Sequence, residues 1–145
     1  YTTLFRSVLS YTVGVRSTEE KSGRKRNFEL AAPAVPKMKG NAGKVILALT
    51  NNDPAQAVDA SAHKVKDADL YLKNDIYRIS ATVSGEGWDA VLLNGLWTVL
   101  PGQSVQVPVH VRFSDTAAKT ATLTINAVSE SDNSVKKQVV INLKK

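Results

Sequence analysis

The sequence predicts an all-β protein, an antiparallel β-sandwich of about seven strands with one short helical crossover. Two observations predict this fold class. Apolar residues recur at every second position in short segments after Lys44, and turn-forming residues separate these segments. The chain of 145 residues contains no cysteine, but its length allows a core that folds without disulfides.

Each predicted strand has one apolar and one polar face, because side chains alternate between the two sides of a sheet. Two sheets that pack face to face would bury all of the apolar faces together. The alternating series are residues 45–49, 77–83, 88–92, 97–99, 105–113, 121–127 and 139–143.

Two positions predict details of strand pairing. Pro108 lies in the clearest series and has no backbone donor, so we expect its strand to lie at a sheet edge or to be bulged there. Asn94 and Gly95 form the dipeptide that best tolerates the positive φ angles of a type I′ turn. We therefore expect a tight turn between the strands of Trp88 and Trp97.

The interval between residues 55 and 74 interrupts the alternation. It is rich in alanine at its start, and Asp67 can cap a turn of helix that ends near Lys73, where the helix dipole favours a cation. We expect a loop with a short helix that crosses between strands.

The N-terminal residues are predicted to precede the sandwich. Tyr1–Ser7 reads as the translation of a common sequencing adapter, and we expect it to be an artefact. The alternative is that this heptapeptide is genuine protein. Residues 8–27 would comprise an upstream remnant and a basic linker, and residues 28–145 the β-sandwich domain. On this interpretation the reading frame is cut, and a signal peptide and a catalytic domain are missing.

The net charge of +6 arises between Lys21 and Lys44, where seven basic residues accompany one acidic residue, Glu29. Basic runs of this kind are commonly solvated linkers or tails. We predict a linker and no nucleic-acid partner, and the alternative is an arm that binds a polyanion. No apolar run approaches the roughly 20 residues that a membrane span needs, so we predict no such span.

The sequence offers no arrangement of residues that specifies a reaction, and we predict no catalytic residue, cofactor or metal ion. His110 lies alone on the polar face of its strand, and a base needs partners. His63 has aspartates nearby, but their spacing does not match a calcium-binding loop. Glu86 and Asp89 flank a turn, whereas paired catalytic carboxylates must face each other across a cleft.

Trp97 and Tyr71 are the candidates for contact with a ligand. An exposed aromatic ring can stack on the C–H face of a sugar. Trp97 also alternates with apolar residues, as Trp88 does, and this pattern is typical of core side chains. Core packing is therefore the simpler interpretation of both tryptophans, and contact with a polysaccharide or a cell surface is the alternative.

Three segments of the sequence carry a resemblance to a known family: residues 75–81, the pair Gly87-Trp88, and residues 99–109, which read Val-Leu-Pro-Gly-Gln-Ser-Val-Gln-Val-Pro-Val. They are similar to the immunoglobulin-like accessory domains of bacterial secreted hydrolases, of the alpha-galactosidase-associated type. The polar segment 127–132 is also similar. The resemblance covers residues 44–143 and implies an immunoglobulin-like β-sandwich that has no catalytic residues of its own.

The cut reading frame and the resemblance together predict a function. We expect a non-catalytic C-terminal accessory domain of a larger secreted or periplasmic bacterial hydrolase, with a structural, spacer or interaction role. Its partner would be the upstream catalytic domain of the same chain. The alternative is a carbohydrate- or cell-surface-binding module.

Overall fold

A computed structural model describes residues 25–32, 38–54 and 74–145. All regular secondary structure in these ranges is β, which confirms the predicted class. The expected helical crossover lies outside the described residues, except for Asn74. The described strands are β1 (Phe28–Ala31), β2 (Met38–Lys39), β3 (Ala42–Asn51), β4 (Asp75–Ser84), β5 (Trp88–Leu92), β6 (Leu96–Val99), β7 (Ser104–Phe113), β8 (Thr120–Ser129) and β9 (Lys136–Lys144).

These strands form two antiparallel sheets that pack face to face. The first sheet has the order β1-β3-β7-β5, with β2 paired to the start of β3. The second sheet has the order β6-β4-β8-β9. One cluster of buried residues from both sheets fills the space between them, so the fold is a β-sandwich. Within the described ranges, no helix is long and apolar enough to cross a membrane.

The predicted apolar faces are the buried faces. In β8, every second residue from Ala121 to Ser129 is buried and the residues between them are more exposed. The same alternation holds for residues 45–49 of β3 and 107–111 of β7. Burial of these series stabilises the fold by about 25 cal/mol for each Å² of apolar surface removed from water.

Pro108 lies in an inner strand and yet removes no ladder hydrogen bond. The pairing of β7 with β3 runs without a bulge. The Phe113 N–H donates to the Asn41 carbonyl at 2.9 Å, so the odd-numbered residues of β7 are those that bond to β3. The nitrogen of Pro108 therefore points towards β5, which ends opposite Val109. The predicted edge strand is wrong for β7 as a whole, but Pro108 itself faces an open edge.

The chain crosses between the sheets at Asn94 and Gly95. Strand β5 lies in the first sheet and β6 in the second, so the predicted type I′ hairpin turn is wrong. The Asn94 side chain instead accepts a hydrogen bond from the Leu96 N–H at 3.1 Å. The dipeptide marks a change of direction, but local turn preference does not determine which sheet the next strand joins.

Gly87 lies in the tight turn that leads from β4 into β5. Its φ angle of 72° falls in the left-handed region that favours glycine. A Cβ atom there would lie 2.6 Å from Ser114 Oγ and 2.8 Å from the Cα of Ala117. The turn leads directly into Trp88, whose ring packs on Phe113 with 4.9 Å between ring centroids.

Gly87→Ala should destabilise the domain by about 2–4 kcal/mol, because a left-handed alanine is strained and its methyl group meets backbone at Ala117. Gly102→Ala is the matched control. Gly102 also has a positive φ, of 74°, but a Cβ atom there meets nothing within 4 Å, so only about 1–2 kcal/mol should be lost. Urea unfolding of both variants measures the difference, and equal losses would contradict the steric argument.

Candidate functional site

Among the described residues, four polar ones are buried at one end of the sandwich, Asn51, Asp53, Asp75 and Ser129. Each lies at the end of a strand or just beyond it. Buried polar groups are stable where hydrogen-bond partners replace the lost water. We call these four residues, together with Arg26 and Tyr77, the polar end.

Arg26 and Asp53 form a buried ion pair. Arg26 Nη1 lies 2.5 Å from Asp53 Oδ2, and each side chain is only 5% exposed. The other carboxylate oxygen, Oδ1, accepts a hydrogen bond from the Asn27 N–H at 2.7 Å. Asp53 therefore holds the segment immediately before β1 against the end of β3.

Asn51 extends this connection to the second sheet. Its Nδ2 donates to the Val99 carbonyl of β6 at 2.8 Å, and its Oδ1 accepts from the Asp53 N–H at 2.8 Å. Its own carbonyl accepts from the Gly102 N–H at 2.8 Å. One series of hydrogen bonds thus joins the entry of the chain, the end of β3 and the end of β6.

Asp75 makes a second connection within the polar end. The Ser129 hydroxyl donates to its Oδ2 at 2.6 Å, and the Ile76 N–H donates to its Oδ1 at 2.8 Å. Ser129 Oγ in turn accepts from the Asp132 N–H at 3.1 Å. Asp75 therefore joins the start of β4 to the turn between β8 and β9.

Tyr77 places a hydroxyl among these charges. The side chain is fully buried, and its ring lies 4.8 Å from that of Phe28. Its hydroxyl has no hydrogen-bond partner among the residues that the structure describes. Burial raises the pKa of Tyr77, and the negative charges of Asp75 and Asp53 raise it further, while Arg26 opposes them. The hydroxyl therefore stays protonated in the folded domain.

The polar end is suited to holding strands together. Both oxygens of Asp53 and both of Asp75 accept hydrogen bonds from other groups of the sandwich, so each carboxylate joins separate segments of the chain. Among residues 25–32, 38–54 and 74–145, no group of three or more His, Cys, Asp or Glu could hold a metal ion. The ion pair and hydrogen bonds of the polar end hold Arg26 in place, at the point where the chain enters the sandwich.

Trp97 is half-buried on β6 and packs against the core. Its indole N–H donates to the Asn94 carbonyl at 2.9 Å, so the polar atom of the ring is occupied and only part of the ring faces solvent. Tyr71 and His63 lie outside the described residues. The ligand contact expected of Trp97 and Tyr71 stays a prediction.

The other residues considered from the sequence are not brought together. His110 is half-buried on β7, and Glu86 is exposed in the turn before β5. Asp89 accepts a hydrogen bond from Arg112 Nε at 2.9 Å across β5 and β7. Trp88 is a core residue whose indole N–H donates to the Ala118 carbonyl at 2.8 Å.

Sequence reasoning missed the polar end, although the sequence carries a signal for it. Asn51, Asp75 and Ser129 each lie two positions from a buried apolar residue of their strand, in phase with the buried face. A polar residue in phase with an apolar series faces the interior. Such a residue then requires a buried partner.

Comparisons with known proteins give two results from sequence. A family model described as "Peptidase M6-like domain" matches residues 27–145. A protein of the fungus Arthroderma benhamiae, named "Putative secreted metallopeptidase", is 34% identical over 134 residues. The match covers 88% of this chain and 19% of the relative, so the chain spans about a fifth of that relative's length.

Among solved structures, the fold is similar to the crystal structure of a FixG-related protein from Vibrio parahaemolyticus. The TM-score is 0.53 at 10% sequence identity, and the match covers 83% of this chain and 95% of that one. The family match makes the expected alpha-galactosidase-associated type wrong. The motifs that suggested it encode turns and core positions, which unrelated sandwiches share.

Asp53→Ala should destabilise the domain by about 3 kcal/mol or more, because it leaves Arg26 buried without its counter-charge. Asp89→Ala is the matched control, since it breaks the ion pair with Arg112 whose side chains are 49% and 71% exposed. That loss should stay within about 1 kcal/mol. Chemical unfolding of both variants tests this, and similar losses would show that the buried pair is not important.

Tyr77→Phe should raise the stability by about 1 kcal/mol at neutral pH, because it removes a buried hydroxyl that has no partner. The raised pKa of Tyr77 adds a second readout. Above about pH 10 the unfolded chain releases this proton and the folded domain does not, so stability falls as pH rises. The variant cannot release this proton, so its stability should fall less steeply above about pH 10 than that of the unmodified domain. A destabilised variant at neutral pH would refute the assignment.

Proposed function

Because this chain belongs to the Peptidase M6-like domain family, we propose that it is a non-catalytic accessory domain of a larger secreted peptidase, with a catalytic domain elsewhere in the same polypeptide. The observation that carries the proposal is that the chain corresponds to only 19% of its metallopeptidase relative. The domain would pack against its catalytic neighbour and set the position of that neighbour.

The polar end supports this role. The buried pair of Arg26 and Asp53 fixes the chain at the point where it enters the sandwich. A polypeptide that precedes Arg26 would leave the sandwich from a fixed place instead of from a frayed terminus. A defined exit limits the orientations that two linked domains can adopt.

We also propose that the sandwich is immunoglobulin-like. Strands β1, β3, β7 and β5 follow the A-B-E-D order of a constant-type sheet, and β4, β8 and β9 follow the C-F-G order. Strand β6 is an addition at the edge beside β4. Secretion is part of the same proposal, and it is supported by the name of the relative. That relative is fungal, so a bacterial origin stays a prediction.

The alternative is a module that binds carbohydrate or a cell surface. The observation that favours it is the partly exposed ring of Trp97 on an edge strand, next to the exposed Leu96. Sugar-binding sites use aromatic surface of this kind. Retention on a glycan array that is lost in Trp97→Ala would replace the accessory role with a binding role.

The Arthroderma benhamiae relative allows a direct test of the accessory role. We would compare the complete protein with a version that lacks the segment matched by this chain. Cleavage of a short peptide should stay within about threefold, because the reacting groups remain. The melting temperature of the truncated protein should fall, because a packed neighbour has been removed.

Two results would overturn the proposal. One is peptide cleavage by the isolated segment, which would make it catalytic. The other is a truncated protein that has the same melting temperature as the complete protein and cleaves a folded protein substrate equally well. The matched control is a complete protein that carries the equivalent of Asp89→Ala, which should behave as the unmodified protein does.

A further inference from the structure

In the part of the chain that the structure describes, strand β9 is an edge strand of the second sheet. Among the described strands it pairs only with β8, over nine residues from Lys136 to Lys144. The other edge strands of the described sandwich, β1, β2, β5 and β6, have four, two, five and four residues. At about 3.3 Å per residue, β9 offers roughly 30 Å of strand edge.

Two hydrogen bonds show which backbone groups face outwards. The Lys145 N–H donates to the Lys119 carbonyl at 3.0 Å, and the Ser129 N–H donates to the Val135 carbonyl at 3.1 Å. Odd-numbered residues of β9 therefore bond to β8, because bonding alternates along an antiparallel pair. The residues whose N–H and C=O groups point to the open side are Lys136, Gln138, Val140, Asn142 and Lys144.

The middle of this edge lacks the usual protection against pairing. Natural edges carry a lysine, a proline or a bulge that prevents another strand from adding. The register between β8 and β9 is continuous, and residues 138–143 contain neither charge nor proline. Val140 is 56% exposed. An uncharged and β-prone segment of this length is a template for an added strand.

The ends of β9 indicate the chemistry of that strand. Lys136, Lys137 and Lys144 are exposed, and neither β8 nor β9 contains an acidic residue. A second copy of this chain, centred on Val140 in an antiparallel pair, would place Lys136 opposite Lys144. Like charges directly opposite each other destabilise a strand pair. Acidic residues near both ends of the incoming strand would be attracted instead.

We propose that the β9 edge binds an extended peptide segment, acidic at both ends and β-branched in its middle, as an added strand of the second sheet. Backbone hydrogen bonds to the open groups supply the attraction, and the lysines select the charge of the peptide. This proposal does not rest on the accessory role, because it concerns the sandwich alone.

The probe is the fluorescein-labelled peptide Glu-Glu-Thr-Val-Thr-Val-Thr-Glu-Glu, capped at both ends. Fluorescence anisotropy with the complete chain should show saturable binding that weakens as salt is added. Amide exchange should slow at the open-side residues, Gln138 and Val140 among them. The control peptide has lysine in place of each glutamate and should bind at least about tenfold more weakly.

Val140→Pro is the decisive variant. Its nitrogen faces the open side, so proline removes a donor for the incoming strand and leaves the β8 ladder intact. Binding should weaken by about tenfold or more. Thr98→Pro on β6 is the matched control. The Ile79 N–H donates to the Gly95 carbonyl, so the odd-numbered residues of β6 bond to β4. The backbone nitrogen of Thr98 therefore faces away from β4, as that of Val140 faces away from β8. This variant should bind the peptide normally.

Charge reversal keeps the proposal testable if Val140→Pro fails to fold. Lys136→Glu combined with Lys144→Glu should exchange the preference, so that the lysine peptide binds and the glutamate peptide does not. Absence of binding by the complete chain overturns the proposal, as does binding that is insensitive to both sets of changes. Dimerisation in sedimentation velocity that Val140→Pro abolishes would also overturn it, since a second copy would then be the occupant.

Discussion

In three strands the alternation of buried and exposed residues continues beyond the apolar core, so polar residues also face the interior. The rest of the structure depends on how these polar residues are bonded. Once Leu49, Tyr77 and Ala127 face inwards, the residue two positions nearer the polar end in each strand must face inwards as well. Those residues are polar. Their burial is compatible with folding only because each one meets a partner. The polar end is thus a consequence of strand register, closed by hydrogen bonds between segments that are distant in sequence.

This dependence explains the position of Arg26. Asp53 lies just after β3, where its carboxylate is turned towards the interior and needs a cation. The residues before β1 supply one, because antiparallel pairing brings the start of β1 to the end of β3. The pairing of Asn27 with Asn52 and the bond from Asn27 to Asp53 then leave the chain little freedom at this point. The ion pair, the register of β1 against β3 and the position at which the chain enters the sandwich therefore depend on one another.

The sequence predicted strands β3 to β9 and their buried faces because both follow from local alternation, but it did not predict the short strands β1 and β2. It did not predict sheet membership, since Asn94 and Gly95 favour a change of direction regardless of which sheet receives the next strand. The polar end also escaped prediction, because alternation along one segment does not show which distant residues a polar side chain contacts. Their partners, Arg26 and Ser129, are 27 and 54 positions away. Only a three-dimensional register brings such residues together.

The arrangement of the strands shows which positive charges of the chain are exposed and which are neutralised. Composition assigns the excess to residues 21–44, but Arg26 in that segment is neutralised by Asp53 inside the sandwich. The lysines of β9 have no acidic residue on their own strand or on β8. A charge available for binding is one that is both exposed and unpaired, because a neutralised charge has little field to offer a partner. The lysines of β9 are exposed and form no ion pair among the described residues, whereas the guanidinium of Arg26 is buried and paired with Asp53.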